Sequence, residues 1–581
     1  MVGIDSRSFG VNEFPGDRET PSDMKEILQC ASSYLKEIGF PQVRVNQPEP
    51  GQTLPNPLLM AEIPVSPEKP TILFYAHLDK QPYMDDGAFK RWEGVAPTTL
   101  RWNEDKTRAY GRGAADDLSG VVCIGLSVDA ALRAHQLRPP MDAAWDALPC
   151  NIKVIYETEE ECGSHSLAAQ IEQNRDFFKD IDCVIITDVV NPATGVPGLT
   201  ASLRGIIQMN VEMTQTNSNS GLDAQTALYK LLARLIREDH SLAVEAIARA
   251  DAPVTDEEMD GLGRIPTTVE DLRGAAGLIP QAALTVESTI QSILKAQLRT
   301  SFVNARPGHR VSGSVIFGRA GARLTFSGPV NSSGFREKLL AFLTARNRYN
   351  LEIILNETAS EPDRIVFDLQ AVAADKDPHS GVTGGPFPIA ELQVARWIDA
   401  MIQDDGAPSA EFVNAIGDDA KQISLTTQSL NVSLEGSASL FSKPEAKAIV
   451  EIRLAPGNES ATAQAQLKEF LTTQTLPGFH LKIEEDKGAS PWRTGIAHPI
   501  FGMMMDSLER GFGQAACLYG CGGSIPFVPK LMDALGDAPP LCLGAYDPES
   551  RMHEPNESMS MVDLLGCARS IVYFMHQLKK F

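Results

Sequence analysis

The sequence predicts an α/β fold: an α/β/α sandwich interrupted by an inserted α+β domain made of two ferredoxin-like β-α-β-β-α-β repeats. Three observations predict it. Short apolar strands alternate with helical patterns over residues 1–205, the alternation resumes near residue 497, and the stretch between them contains an internal repeat. A chain of 581 residues is also too long for one hydrophobic core.

Taken in order, residues 22–38 have the spacing of an amphipathic helix, and the apolar tracts near 71–76, 151–156 and 183–187 read as strands. Helical patterns around 118–135 and 164–174 separate those strands. The first repeat opens with a strand at 206–213, then Asn219-Ser220-Gly221 and a helix near 224–237. The second opens with a strand at 365–373, then His379-Ser380-Gly381 and a helix near 388–403. Each continues as two strands, a helix and a last strand, near 294–303, 311–317, 333–345 and 350–355, and again near 422–434, 446–454, 460–472 and 479–484. Helices near 498–510 and 560–577 close the chain. The expected divisions are 1–205 and 488–581 for the two parts of the sandwich domain, with 206–360 and 361–487 for the repeats. The stretch 240–292, rich in Ala, Asp, Glu, Pro and Gly, reads as a helical insertion of the first repeat or a flexible cover.

Composition removes several classes of function. A hydrophobic fraction of 43% and a charged fraction of 22% are those of a soluble globular protein. A formal charge of −23 argues against a nucleic-acid partner, which requires a basic face, and against docking on acidic membranes. The first residues lack a basic start and apolar core, so no secretory signal is expected, and no apolar run is long enough to span a membrane. Nine scattered cysteines, an odd number, fit free thiols in a reducing cytoplasm. Cys517 and Cys521, the one close pair, read as helical core rather than as a metal site.

The residues that carry chemistry lie at strand ends, in one Gly-rich turn and in one polar loop. Thr71-Ile-Leu-Phe-Tyr-Ala-His77-Leu-Asp79 is a β-prone tract that delivers an imidazole and a carboxylate to its own end, a way of offering a histidine to a metal and holding it from behind. Asp116 follows a Gly-rich turn that leads into a helix; a carboxylate there can bridge two cations or cap the helix. Glu160 and Glu161 close an acidic run directly before Gly163-Ser164, either a solvated face or part of a site. Asp188 ends the tract Cys183-Val-Ile-Ile-Thr-Asp, and His553 lies in a polar loop before the last helix. Ligands of open α/β sheets collect beyond the carboxyl ends of strands, so these side chains are expected to converge on one rim.

These motifs are Leu78 and Asp79 after His77, Gly-Arg-Gly-x-x-Asp-Asp at 111–117, Glu-Glu-x-Gly-Ser at 160–164, Leu203-Arg-Gly205, His379-Ser-Gly381, Gly522-Gly-Ser-Ile-Pro526 and the late His553. In this order, across nearly the whole chain, they resemble the co-catalytic dimetal exopeptidases that include carnosinases, lactobacillal-type dipeptidases and glutamate carboxypeptidase. The resemblance implies two divalent cations, zinc foremost with manganese or cobalt as alternatives, sharing the Asp116 carboxylate and a bridging water. His77 and Asp188 complete one ion, and Glu161 and His553 the other. By the same resemblance Asp79 supports His77, the Asp116-Asp117 peptide is cis, and Glu160 is the general base acting on the metal-bridging water. The implied reaction is hydrolysis of the amide bond of dipeptides or similar aminoacyl-amino acids, with an N-acyl-amino-acid deacylase or carboxypeptidase as the alternative. Asp188, aspartate rather than glutamate, favours the dipeptidase. Arg453, Gly523 and Ser524 correspond to groups that receive the substrate carboxylate.

In dimeric members the His-Ser-Gly histidine crosses from a partner's lid to stabilise the oxyanion. Here only the second repeat has it, as His379, with Asn219 at the matching position of the first. That asymmetry predicts a monomer in which a duplicated lid mimics a dimer and supplies His379 in cis.

Overall fold

The computed structural model describes residues 1–8, 20–46, 56–85, 87–137, 147–217, 221–307, 315–329, 334–432, 438–441, 445–523, 525, 527–536 and 538–578. Among them the main sheet has nine strands, in the order Gln42–Asn46, Leu58–Ile63, Asn151–Glu157, Thr71–His77, Cys183–Ile186, Pro540–Leu543, Gly198–Leu203 and Trp492–Arg493, with Cys517–Cys521 also paired to Gly198–Leu203. Thr71–His77 runs parallel to both Asn151–Glu157 and Cys183–Ile186, so the three carboxyl ends share one rim. The central strand is buried throughout because its alternating side chains enter two cores. Ile72, Phe74 and Ala76 pack with apolar residues of the helices Ser22–Ile38, Leu118–Ala134, Pro499–Phe512 and Met561–Gln577. Leu73 and Tyr75 pack on the opposite face with Leu167–Gln173 and Phe527–Leu535. The molecule is a mixed α/β protein with helices on both faces of this sheet.

The inserted domain departs from the expected succession of repeats. One sheet is ordered Phe479–Ala489, Gly205–Gln215, Ala446–Leu454, Ser301–Pro307; the other is Glu352–Glu361, Arg364–Val372, Arg319–Ser327, Ser424–Val432, Ala438–Phe441. Each draws strands from both halves, so the boundary between 206–360 and 361–487 cuts through both sheets rather than separating one from the other. The reason is local. Glu352–Glu361 and Arg364–Val372 are joined by two residues and pair antiparallel, and so short a loop closes at little entropic cost. That hairpin welds the end of the first repeat to the start of the second, nesting the sheet over 319–441 inside the other. The tracts 294–303 and 311–317 also shift: residues Ile290–Ala296 are helical, capped by the Thr289 side chain, and the strands are Ser301–Pro307 and Arg319–Ser327. Residues 308–314 and Asn219 lie outside the described residues.

The stretch 240–292 is a cover of short helices, two of which begin with capping boxes at Thr255 and Thr268. Its Leu262 and Ile265 pack with Val196, Leu294, Leu298, Cys517 and Tyr519 at the edge of the main sheet. The buried Glu258 accepts bonds from Ser202 Oγ at 2.7 Å and Arg493 at 3.0 Å, fastening the cover there. Cys517 and Cys521 are buried on a strand rather than a helix. Positions i and i+4 share a face in either conformation, so their spacing did not discriminate.

Candidate metal centre

The rim at the carboxyl ends of the central strands gathers the charged residues. His77 ends its strand fully buried, with Nδ1 3.0 Å from the Asp79 backbone oxygen and 3.5 Å from Asp79 Oδ1. A carbonyl only accepts, so Nδ1 carries hydrogen and Nε2 is the nitrogen turned inward, donating to Asp116 when it holds a hydrogen and offering a lone pair to a cation when it does not. Nε2 lies 3.1 Å from Asp116 Oδ1, 3.9 Å from Asp188 Oδ2 and 4.0 Å from Glu160 Oε2. The other Asp116 oxygen, Oδ2, lies 2.8 Å from His553 Nε2, which is 3.4 Å from Glu161 Oε2. One carboxylate thus faces two imidazoles, each flanked by a further carboxylate. Donor atoms of His77, Asp116 and Glu161 lie within 4.8 Å of one another, as do those of His77, Glu160 and Asp188.

Local structure holds the set in place. The Asp116-Asp117 peptide is cis. Asp117, not Asp116, caps the helix Leu118–Ala134 by accepting from Gly120 N, and its other oxygen accepts from His77 N at 3.3 Å. Asp116 is left to face the histidines. Asp79 does more than support His77: its carboxylate accepts from the backbone nitrogens of Glu160 at 3.1 Å and Glu161 at 3.0 Å, and from Ser8 Oγ at 2.8 Å. It therefore aims the acidic turn. Gln81 donates to Glu161 Oε2 at 2.6 Å, and Tyr546 donates to Asp188 Oδ1 at 3.3 Å.

Electrostatics suit a cation. Burial, then the Asp188 charge, pushes the Glu160 carboxyl up; burial and the Asp116 charge do the same to Glu161, and burial and the Asp117 charge to Asp188. Burial also works against ionisation of Asp116, but hydrogen bonds from His553 and His77 override it and hold that carboxyl well below its ordinary range. Glu161 Oε1 and His553 Nδ1 are buried with no hydrogen-bond partner among the described residues. Clustered carboxylates, inward imidazole nitrogens and orphaned polar atoms are the donor set and charge imbalance that divalent cations relieve.

The remaining predicted residues stand beside this cluster. The His379 ring, partly buried and with its basicity lowered by burial and by His553, lies edge-on to His553 with centroids 5.0 Å apart. Arg453 is 2% exposed, which excludes a solvent-facing strand edge, and donates to Ser380 Oγ at 2.8 Å. Gly523 abuts the same turn: a Cβ on Gly381 would stand 2.8 Å from Gly523 Cα. Ser524 lies outside the described residues. Sequence reasoning missed Glu557, a fully buried carboxylate that accepts from Arg112 and from the Gly113, Ala115 and Asp116 backbone nitrogens. Its only signal was its place four residues after His553.

The profile of Peptidase family M20/M25/M40 matches residues 73–577. A Cys-Gly metallodipeptidase of Candida albicans is 29% identical over 288 residues, covering 47% of this chain and 56% of that protein. A Beta-Ala-His dipeptidase of Mus musculus is 32% identical over 260 residues, covering 42% and 50%. The chain spans about half the length of the curated relatives it matches. The crystal structure of human carnosine dipeptidase 1 superposes with a TM-score of 0.60 at 20% identity, covering 99% of this chain and 94% of that one. An M20 family metallo-carboxypeptidase from Sulfolobus solfataricus gives 0.61 at 17% identity, covering 99% and 96%.

Proposed function

This chain is a member of peptidase family M20/M25/M40, and from that premise we propose that it is a dimetal dipeptidase acting on dipeptides or similar aminoacyl-amino acids. The observation that carries the reading is the Asp116 carboxylate, whose two oxygens face His77 at 3.1 Å and His553 at 2.8 Å. Asp116 would be shared between two cations, with His77 and Asp188 holding one and Glu161 and His553 the other. Mixed nitrogen and oxygen donors suit zinc, with manganese or cobalt as alternatives. The cations, when bound, supply Lewis acidity to the attacking water and the scissile carbonyl.

The chain's own groups do the rest. Glu160 takes a proton from the water and returns it to the amine nitrogen, which must be protonated to leave. Its proximity to His77, and the backbone bond that fixes its turn to Asp79, support that role. His379 donates to the oxyanion that develops on the scissile carbonyl oxygen. Arg453 and the backbone at Gly523 and Ser524 receive the substrate carboxylate. The aspartate at 188, and the relatives named for Cys-Gly and Beta-Ala-His dipeptides, support a substrate with a free amino terminus.

His379 comes from the inserted domain of the same chain that carries His553, which supports a monomer that completes its own site. The interleaved sheets support the same reading, because two lid units that exchange strands within one chain need no partner. All nine cysteines are free thiols, which supports a cytoplasmic location, and among the described residues no helix is long and apolar enough to cross a membrane.

The test is metal content measured beside hydrolysis of matched dipeptides and N-acetyl amino acids. Two ions per chain with turnover of the dipeptides are expected. Fewer than one ion, or turnover of the N-acetyl series alone, overturns the reading.

A further inference from the structure

Arg204 is the one residue between Gly198–Leu203, a strand of the main sheet, and Gly205–Gln215, a strand of the lid. Its guanidinium is 1% exposed and pairs with no carboxylate among the described residues. Instead it donates to five neutral acceptors on three segments. Nε reaches the Gly522 carbonyl at 2.9 Å, in the main domain. Nη1 reaches the Arg299 carbonyl at 3.1 Å and Ser301 Oγ at 2.9 Å, at the start of a lid strand. Nη2 reaches the Ser380 carbonyl at 3.4 Å and the Gly381 carbonyl at 3.0 Å, in the turn that carries His379.

The backbones it ties together are in direct contact. A Cβ on Gly522 would stand 2.1 Å from the Gly381 oxygen and 3.0 Å from Arg204 Nη2. The other side of the turn is held within the lid, where Ser380 Oγ bonds Glu451 at 3.0 Å and Arg453 at 2.8 Å, and Thr383 Oγ1 bonds the His379 carbonyl at 2.8 Å. Through that turn, the only side-chain tie from the hinge to His379 is the Arg204 fork among the bonds just described. A buried charge surrounded by neutral carbonyls is a weak stabiliser of a fold, whereas a planar fork with fixed donor directions sets relative positions well.

We propose that Arg204 is a positioning residue that fastens the His379 turn to the Gly522–Gly523 turn, so that closing the lid and completing the oxyanion site are one event governed from the hinge. The proposal rests on the reading above that His379 donates to the oxyanion. Lysine keeps the charge but offers a single point of donation, and cannot span five acceptors.

The test is a cycle of Arg204→Lys, His379→Ala and the double variant, with kcat, KM, metal content and melting temperature measured on one dipeptide. His379→Ala is expected to lower kcat by about 100- to 1000-fold, the scale of a lost oxyanion donor. Arg204→Lys should lower kcat by about 10- to 100-fold with full metal content and KM within about threefold, since the donor is displaced rather than removed. The double variant should fall within about threefold of His379→Ala alone, because a misplaced donor that is absent has nothing left to lose. Gly522→Ala, which forces the same junction apart from the other side, should behave like Arg204→Lys and carries the test if the latter does not fold. Effects of Arg204→Lys and His379→Ala that multiply, or an unchanged kcat in both Arg204→Lys and Gly522→Ala, overturn the proposal. An unchanged kcat in His379→Ala instead removes the oxyanion reading beneath it.

Discussion

Replacing Glu557 by glutamine tests whether a residue outside the ligand set, bonded to the backbone of Asp116, shapes the metal centre. Glu557 Oε2 accepts from Arg112 Nη1 at 2.6 Å and Gly113 N at 3.1 Å, while Oε1 accepts from Ala115 N at 2.9 Å and Asp116 N at 3.0 Å. Whichever way the amide turns, its NH2 faces two donors, so two buried N–H groups lose their acceptor. Arg112, 1% exposed, loses its counter-charge as well. Breaking a buried ion pair by removing one partner costs about 3–5 kcal/mol, which already contains most of the penalty for the orphaned donors. The same change frees the backbone that aims Asp116, so metal affinity should weaken by about 10- to 100-fold. Competition against a chromogenic chelator and melting of the metal-loaded protein measure the two effects. A Glu557→Gln protein that melts with the parent and holds metal within about threefold of it would refute the reasoning.

Glu160→Gln should retain two ions per chain while kcat falls by about 100-fold or more, the scale of a lost general base; loss of metal along with activity would make Glu160 a ligand instead. Burial pushes the Glu157 carboxyl up to about 7 from 4.5, against the hydrogen bond it receives from Tyr75 at 2.6 Å. The folded chain therefore holds a proton that the unfolded chain has released between pH 4.5 and about 7. This group's contribution falls by about 3 kcal/mol as pH rises across that window and stays lost above it. Glu157→Gln should flatten that part of the stability profile, and an identical slope in both proteins would count against the assignment. Sedimentation at micromolar concentration should give one chain per particle, and a stable dimer would remove the cis reading of His379.

The layout of the main domain was legible because its strands and helices bury opposite faces in simple periodicities. Helices expected at 22–38 and 118–135 run Ser22–Ile38 and Leu118–Ala134. His77, Glu160, Glu161 and Asp188 were visible as polar residues at the ends of β-prone tracts, with Asp116 in a Gly-rich turn and His553 in a polar loop, and parallel pairing brings the strand ends to one rim. Glu557 was not legible, since its partners are backbone nitrogens 441 to 444 positions away and carry no signature of their own. Asp79 was read as support for an imidazole, yet its carboxylate mainly holds the turn of Glu160 and Glu161, a choice made by loop geometry.

The sequence by itself singled out the polar side chains that the structure gathers at one rim and where most of the regular elements of the main domain run, because both follow from residue type and short-range periodicity. Only the tertiary structure decided how the lid is woven. The strands of 206–487 have much the same pattern whichever neighbour they pair with, and pairing is chosen by loop closure and shared burial across the whole domain. The same holds for Arg204, whose five partners are set by where three distant segments meet. A motif can announce a guanidinium, but the carbonyls it binds exist at every residue, and only packing selects among them.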